Sequence, residues 1–236
     1  PLVDADGMGR AFPEIHMVLP TLYDIAATPM AIADEKGNQG VFDTVDNRWA
    51  ERFARSVTVD MGCSAMISLF ALTGSQARQS LVPRTLSLCA ELGTRVRQAR
   101  AEHTDPVTAV VRRLGGRLLF RGKVIDVERR TVAGFARGEA TLAGMDDDSR
   151  AQYVLRFQNE HLVAEKEGTV LASVPDLICT LDTDSAAAIT TEALRYGQRL
   201  AVVSAPADPR WHTPAGLRLA GPRYFGYDIE PVGEDR

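Results

Sequence analysis

At Gly115-Gly116 the hydrophobic pattern of the chain changes its period, and that change limits the fold more than any other feature of the sequence. Upstream, from Asn47, apolar residues recur at helical spacing. Trp49, Phe53 and Val57 fall four apart, and Leu81, Leu88, Leu92, Val96 and Ala99 form a stripe along a longer segment. The sharpest helix is the last. Asp105 offers an N-cap, Pro106 suits the first helical position, Val107, Val110, Val111 and Leu114 share one face, and Gly115-Gly116 ends it. Downstream, short alternating runs punctuated by Gly and Pro take over: Leu118-Leu119-Phe120, Val124-Ile125-Asp126-Val127, Tyr153 to Phe157, Val170 to Val174 and Leu200 to Val203. The pattern predicts an α+β chain, with an α/β N-terminal part over residues 1–115 and a β-rich, sandwich- or barrel-like C-terminal domain over 116–236.

Before Asn47, Met30 to Ala33 and Val41 to Val45 flank Lys36-Gly37-Asn38-Gln39-Gly40 and read as a hairpin. Met61 to Leu72 reads equally as strand or buried helix. Leu2-Val3-Asp4 resembles the end of a buried strand, and with Pro1 as first residue this raises the expectation of an upstream piece. Asp146-Asp147-Asp148 reads as a solvated loop tip.

Composition excludes several function classes. With 45% hydrophobic and 25% charged residues, the 236-residue chain buries a substantial core and is not intrinsically disordered. Thirty-one acidic against 27 basic side chains give a net charge of -4, without the basic excess that nucleic-acid binding demands, so no nucleic-acid partner is expected. The longest apolar stretch, Met61 to Leu72, is shorter than the roughly 20 residues that cross a bilayer, so no membrane partner is expected and a soluble, cytoplasmic protein is. Cys63, Cys89 and Cys179 form no CxxC pattern, which fits a reducing compartment. Apolar neighbours make Cys63 an expected core thiol. A homo-oligomer is the base-rate expectation.

The densest chemical constellation opens the chain, in Asp4-Ala5-Asp6-Gly7-Met8-Gly9-Arg10-Ala11-Phe12-Pro13-Glu14-Ile15-His16. Asp4 and Asp6, two apart, leave a strand on the same side, and Gly7 and Gly9 permit close backbone approach. Arg10, Glu14 and His16 add a cation, a possible general base and a nitrogen ligand, so a divalent metal or carboxylate-assisted hydrolysis is chemically available. A Gly-rich turn in which Arg10 neutralises the aspartates explains the pattern equally well. A second cluster, Gln158-Asn159-Glu160-His161, ends an apolar run and offers amides and a carboxylate to a ring bearing N–H and C=O groups, or simply a strand-end turn. Asp176 interrupts an apolar strand, which calls for pairing with an arginine or a place in a substrate site. His103 and His212 read as surface residues. The aromatic tail through Tyr224, Phe225 and Tyr227 reads as packing on the β region or as a pocket wall.

Taken in order, DADGMGRAFPE from Asp4, FRGKVIDVERRTVAGFARG from Phe120, FQNEHLVAE from Phe157, VPDLI from Val174, LRYG from Leu194 and GPRYFGYD from Gly221 resemble the S-methyl thiohydantoin desulfurases, a family associated with hydantoinase/oxoprolinase enzymes. The resemblance spans essentially the whole chain. It implies an α/β domain leading into a β-rich one, and hydrolytic attack on the C–S carbon of an S-methylated thiohydantoin, releasing methanethiol and leaving a hydantoin. Members carry a Gly-rich segment upstream of the DADGMGR-like motif, which here begins at Asp4. For a small cyclic amide or thioamide substrate, Asp4 and Asp6 would hold a divalent metal or orient water, with His16 as nitrogen ligand. Glu14 would be the base, Arg10 would offset developing charge, and Gln158, Asn159, Glu160 and Asp176 would bind the ring. Ring opening of the hydantoinase kind is an alternative. So is a non-catalytic subunit that binds a hydantoinase partner through the β region, with Trp211, Tyr224, Phe225 and Tyr227 as exposed aromatics.

Overall fold

The computed structural model describes residues 2–145 and 148–233, and the chain divides into two compact units, Val3–Pro83 and the part from Arg84 onward. The N-terminal unit contains β1 (Ala5–Asp6), α1 (Leu19–Leu22), β2 (Met30–Ala33), β3 (Gln39–Phe42), α2 (Asn47–Asp60), β4 (Met66–Ser68), α3 (Gly74–Ser80) and β5 (Val82–Pro83). The expected hairpin is β2–β3, with Met30 opposite Phe42, and β4 pairs with the other edge of β2 to give an antiparallel sheet in the order β3-β2-β4. The segment Met61 to Leu72 therefore resolves to a three-residue edge strand between loops. Too little of it alternates to make a longer one.

Helix α2 starts because Asp46, in extended conformation, accepts the Trp49 amide at 2.8 Å. Its buried stripe is Ala50, Glu51 and Ala54, small enough to bring the helix close to Met30 and Ala27. Trp49 and Phe53 consequently sit on its flank, edge to face and half exposed. Past Asp60 the chain turns through Gly62 and Cys63, both left-handed with φ of 102° and 67°. That exit carries Cys63 to the surface, contrary to the expected core position. Leu2 and Val3 are also exposed and precede β1 rather than ending a buried strand.

The C-terminal unit contains α4 (Thr85–Ala101), α5 (Pro106–Leu114), β6 (Arg117–Val132), β7 (Phe135–Gly144), β8 (Gln152–Gln158), β9 (Glu160–Lys166), β10 (Thr169–Ser173), β11 (Leu177–Asp182), β12 (Arg199–Ala205) and α6 (Pro214–Ala220). Helix α5 is capped as its residues dictate, by the Asp105 carboxylate on the Val107 amide and by Gly115 in left-handed conformation. The seven strands form one antiparallel sheet ordered β10-β9-β8-β7-β6-β12-β11. It curls into a half-barrel, so that strands far apart in that order meet. His161 of β9 touches Thr180 of β11, five places away in the order.

Alternation divides the side chains of this sheet between two cores. Phe120, Val124, Leu142, Tyr153, Leu155, Phe157, Leu200 and Val202 pack in one apolar cluster, with Phe120 stacked on Tyr153. The other face of β11 and β12, through Leu181, Ala201 and Val203, packs under Val107 and Val110 of α5, with Leu92 and Val96 of α4 alongside. Leu81 does not join that stripe, because Arg84 is left-handed (φ 63°) and α4 begins only after it. Trp211 is fully buried rather than exposed. Of the acidic run, Asp146 and Asp147 lie outside the described residues, and Asp148 accepts from the Tyr153 hydroxyl and from Lys166.

Candidate active site

The DADGMGR segment folds as a turn closed on its own aspartate. Asp6, in β1, pairs with Val82 of β5, and its Oδ1 accepts the amides of Met8 at 2.5 Å and Gly9 at 2.6 Å. Gly9 has a φ of 73° and lies against Val82, where a Cβ would stand 3.1 Å from a methyl group. Downstream, Arg10 is buried with its guanidinium 4.4 Å from the centre of the Phe12 ring, and its Nε donates to Ala11 O.

The next stretch, Pro13 to Ala27, is held chiefly by α2. Glu51 is 4% exposed; it accepts the Ile15 amide at 2.7 Å and Arg55 Nε at 2.5 Å. Arg55 extends a second nitrogen to Pro13 O at 3.0 Å. One turn earlier, Asn47 donates to Thr21 Oγ1 and Ile25 O and accepts from the Ala27 amide, while the Thr21 hydroxyl donates to His16 O. These partners lie twenty or more residues apart in sequence, apart from Thr21 with His16 and Glu51 with Arg55, so spacing alone does not reveal them. The one local trace is the i,i+4 pair Glu51/Arg55 among the small residues of an amphipathic helix.

Between these anchors stand Glu14 and His16. His16 is 1% exposed, and burial together with the charge of Arg48 lowers its pKa to about 4, against an opposing pull from Asp46. Its ring is therefore neutral at pH 7. Nδ1 lies 3.7 Å from Glu14 Oε2, too far for a hydrogen bond but close enough to share a site. Glu14 keeps partial access to solvent, at 14% side-chain exposure. Of the sequence-predicted residues, then, Glu14 and His16 are brought together, Arg10 supplies a buried cation in the same unit, and Asp6 turns to its own backbone. Asp4 is exposed. Among the described residues no group of three or more His, Cys, Asp or Glu side chains is placed to hold a metal ion.

Family comparison decides where this chain belongs. The description "S-Me-THD-like, N-terminal domain" matches residues 1–44, and "S-Me-THD-like, C-terminal domain" matches residues 45–233. The chain belongs to the S-Me-THD-like family. No curated protein matches the S-Me-THD-like chain. A crystal structure of a protein from Chromobacterium violaceum superposes with a TM-score of 0.76 at 21% identity over 99% of this chain, which shows a shared fold. The chain spans 66% of that protein's length. In the S-Me-THD-like chain the boundary at residue 44 separates the DADGMGR loop from α2, yet both belong to one compact unit. Among the described residues no helix is long and apolar enough to cross a membrane.

The second cluster belongs to the C-terminal unit. Asn159 alone links β8 to β9, with a φ of 55°; its amide donates to Ala136 O and its Oδ1 accepts the Ala136 amide, so it terminates β7 as a strand would. Gln158 is buried, and Glu160 stands opposite it. The Thr180 hydroxyl gives its proton to Ile189 O, so His161 Nε2 must be the donor to Thr180. Asp176 is buried as expected, with Oδ1 accepting the Ala207 amide at 2.9 Å. Its basic partner at 2.8 Å is His212. An arginine was the expected partner and a surface position the expected place for His212. The turn Pro209–His212, anchored by buried Trp211, sets that ring against Asp176 with a quarter of it still exposed.

Proposed function

We propose that this protein is a hydrolase that releases the methylthio group, as methanethiol, from an S-methylated thiohydantoin or a closely related small cyclic S-methylated thioamide. Water adds at the ring carbon bearing sulfur, the C–S bond breaks, methanethiol leaves with one of the water protons, the adjacent ring nitrogen takes the other, and the carbon keeps the water oxygen as the carbonyl of a hydantoin. The observation that carries the reading is Glu14, a partly accessible carboxylate beside a buried, neutral His16, in the loop that bears the family motif. Glu14 would take the proton of the attacking water, and His16, uncharged at pH 7, would leave that carboxylate its basicity rather than neutralising it. Arg10 would offset negative charge on the ring as the tetrahedral centre forms. Gln158, Asn159, Glu160 and Asp176 belong to the other compact unit, where Asn159 closes on Ala136 and Asp176 on Ala207 and His212, and no role in this step is assigned to them.

No step is routed through a divalent cation, because Asp6 Oδ1 is committed to the Met8 and Gly9 amides and the remaining donors do not gather around one point among the described residues. The expected cation enters only as a chelator arm of the assay. A second reading is a non-catalytic subunit docking on a hydantoinase partner; the expected docking aromatic Trp211 is buried, and an exposed apolar surface is offered instead by Val41 and Met66 of the β3-β2-β4 sheet in the N-terminal unit. Methanethiol release from an S-methylated thiohydantoin, with and without chelator, separates the two. Turnover that Asp6→Asn preserves and Glu14→Gln abolishes supports Glu14 as base; no turnover from any form favours the subunit.

A further inference from the structure

We infer that Glu51 and Arg55 are positioning residues for Glu14, a role that rests on the reading of Glu14 as the base. The two lie one turn apart on α2 and form an ion pair at 2.5 Å, but their geometry is not that of a pair on a solvated helix face. Glu51 is 4% exposed, and a carboxylate so buried is stable only with its charge paired and its oxygens satisfied. One partner is Arg55; the other is the Ile15 amide. Arg55 in turn donates from Nη2 to Pro13 O. The pair therefore grips the peptide group before Glu14 by its carbonyl and the one after it by its N–H. Two opposite charges are matched to two opposite backbone dipoles, and the residue between them is the only one in this stretch whose carboxylate faces a buried imidazole.

This arrangement fixes backbone direction at the base from both sides, and a misplacement of about 1 Å at a catalytic group costs on the order of 100-fold in rate. Acid before base is the order that an isolated helix also prefers, so the order alone assigns no role. What the helix does not require is that the acid receives Ile15 N–H and the base serves Pro13 O.

The test uses Arg55→Lys and Glu51→Gln in the complete protein. Lysine keeps a point charge for Glu51 but lacks the planar fork that reaches Pro13 as well. Arg55→Lys is expected to lower kcat roughly 10- to 100-fold with KM within about twofold, and to cause no further loss in a Glu14→Gln background. Amide hydrogen exchange at Ile15 is expected to accelerate in Glu51→Gln, a readout independent of turnover. Wild-type kcat in both variants, unchanged Ile15 exchange, or losses that add fully to those of Glu14→Gln would overturn the inference. Wild-type turnover in Glu14→Gln would instead remove the parent reading, and the positioning role with it.

Discussion

The two units hold themselves together by different means. In the C-terminal unit a curled seven-stranded sheet encloses an apolar cluster in which Leu142, Leu155, Leu200 and Val202 have no solvent exposure, and α5 seals part of the other face. Burial of apolar area is non-directional, so such a unit tolerates drift in any single contact. The N-terminal unit has five short strands, a buried stripe of alanines on α2, and long loops fixed by a few side-chain hydrogen bonds to Asn47, Glu51 and Arg55. Its polar fixings are directional and all-or-none, because an abandoned buried partner keeps its full desolvation penalty. The comparison teaches where chemistry can be housed: the unit with the weaker apolar core carries the precisely aimed groups.

One tryptophan in each unit, Trp49 and Trp211, allows the two to be followed separately in Trp49→Phe and Trp211→Phe backgrounds. The largest effect is expected from Glu51→Ala, which leaves Arg55 without its counter-charge and the Ile15 amide without an acceptor. A loss of about 4 kcal/mol should appear in urea unfolding followed at Trp49 and leave the Trp211 transition in place. Next, Leu155→Ala should cost about 3 kcal/mol through an unfilled cavity, with the effect reversed between the two probes. If both variants moved both transitions equally, the units would unfold as one and the contrast would fail.

Acid sharpens the same contrast. The folded pKa of His16, about 4, lies below its unfolded value of 6.5, so between those values the unfolded chain binds the extra proton. Stability of the N-terminal unit should be full above pH 6.5, fall by about 3 kcal/mol as pH drops toward 4, and level off below, while His16→Gln flattens that slope. A slope unchanged in His16→Gln would mean that the ring is not the titrating group. The smallest effect is expected at the α5 cap, where Asp105→Ala should cost about 1 kcal/mol in the C-terminal unit alone.

This difference between the units also governs how far each can be read from sequence. Asp105, Pro106 and Gly115 carry their instructions within a few residues, and the runs at Phe120, Tyr153 and Leu200 alternate plainly, so α5 and the strands are legible. The motif segments likewise suffice to place the chain in its family. The grip of Glu51 on Ile15 spans thirty-six residues, and nothing in the spacing of either announces it. The ring of His212 reaches Asp176 for the same reason, through a fold-level turn that also buries Trp211. Met61 to Leu72 misleads because apolarity there serves one short edge strand and a loop; Cys63 misleads because the left-handed helix exit, not its neighbours, decides its exposure. Candidate residues were visible as types; their partners were not.

The most direct measurement is methanethiol release from an S-methylated thiohydantoin by the wild-type protein and by Glu14→Gln, with thermal unfolding of both recorded alongside. Release by wild type that falls 100-fold or more in the variant, at an unchanged unfolding temperature, is the expected result, since general-base catalysis contributes about that much or more. Equal rates in the two would contradict the assignment of this loop as the active site.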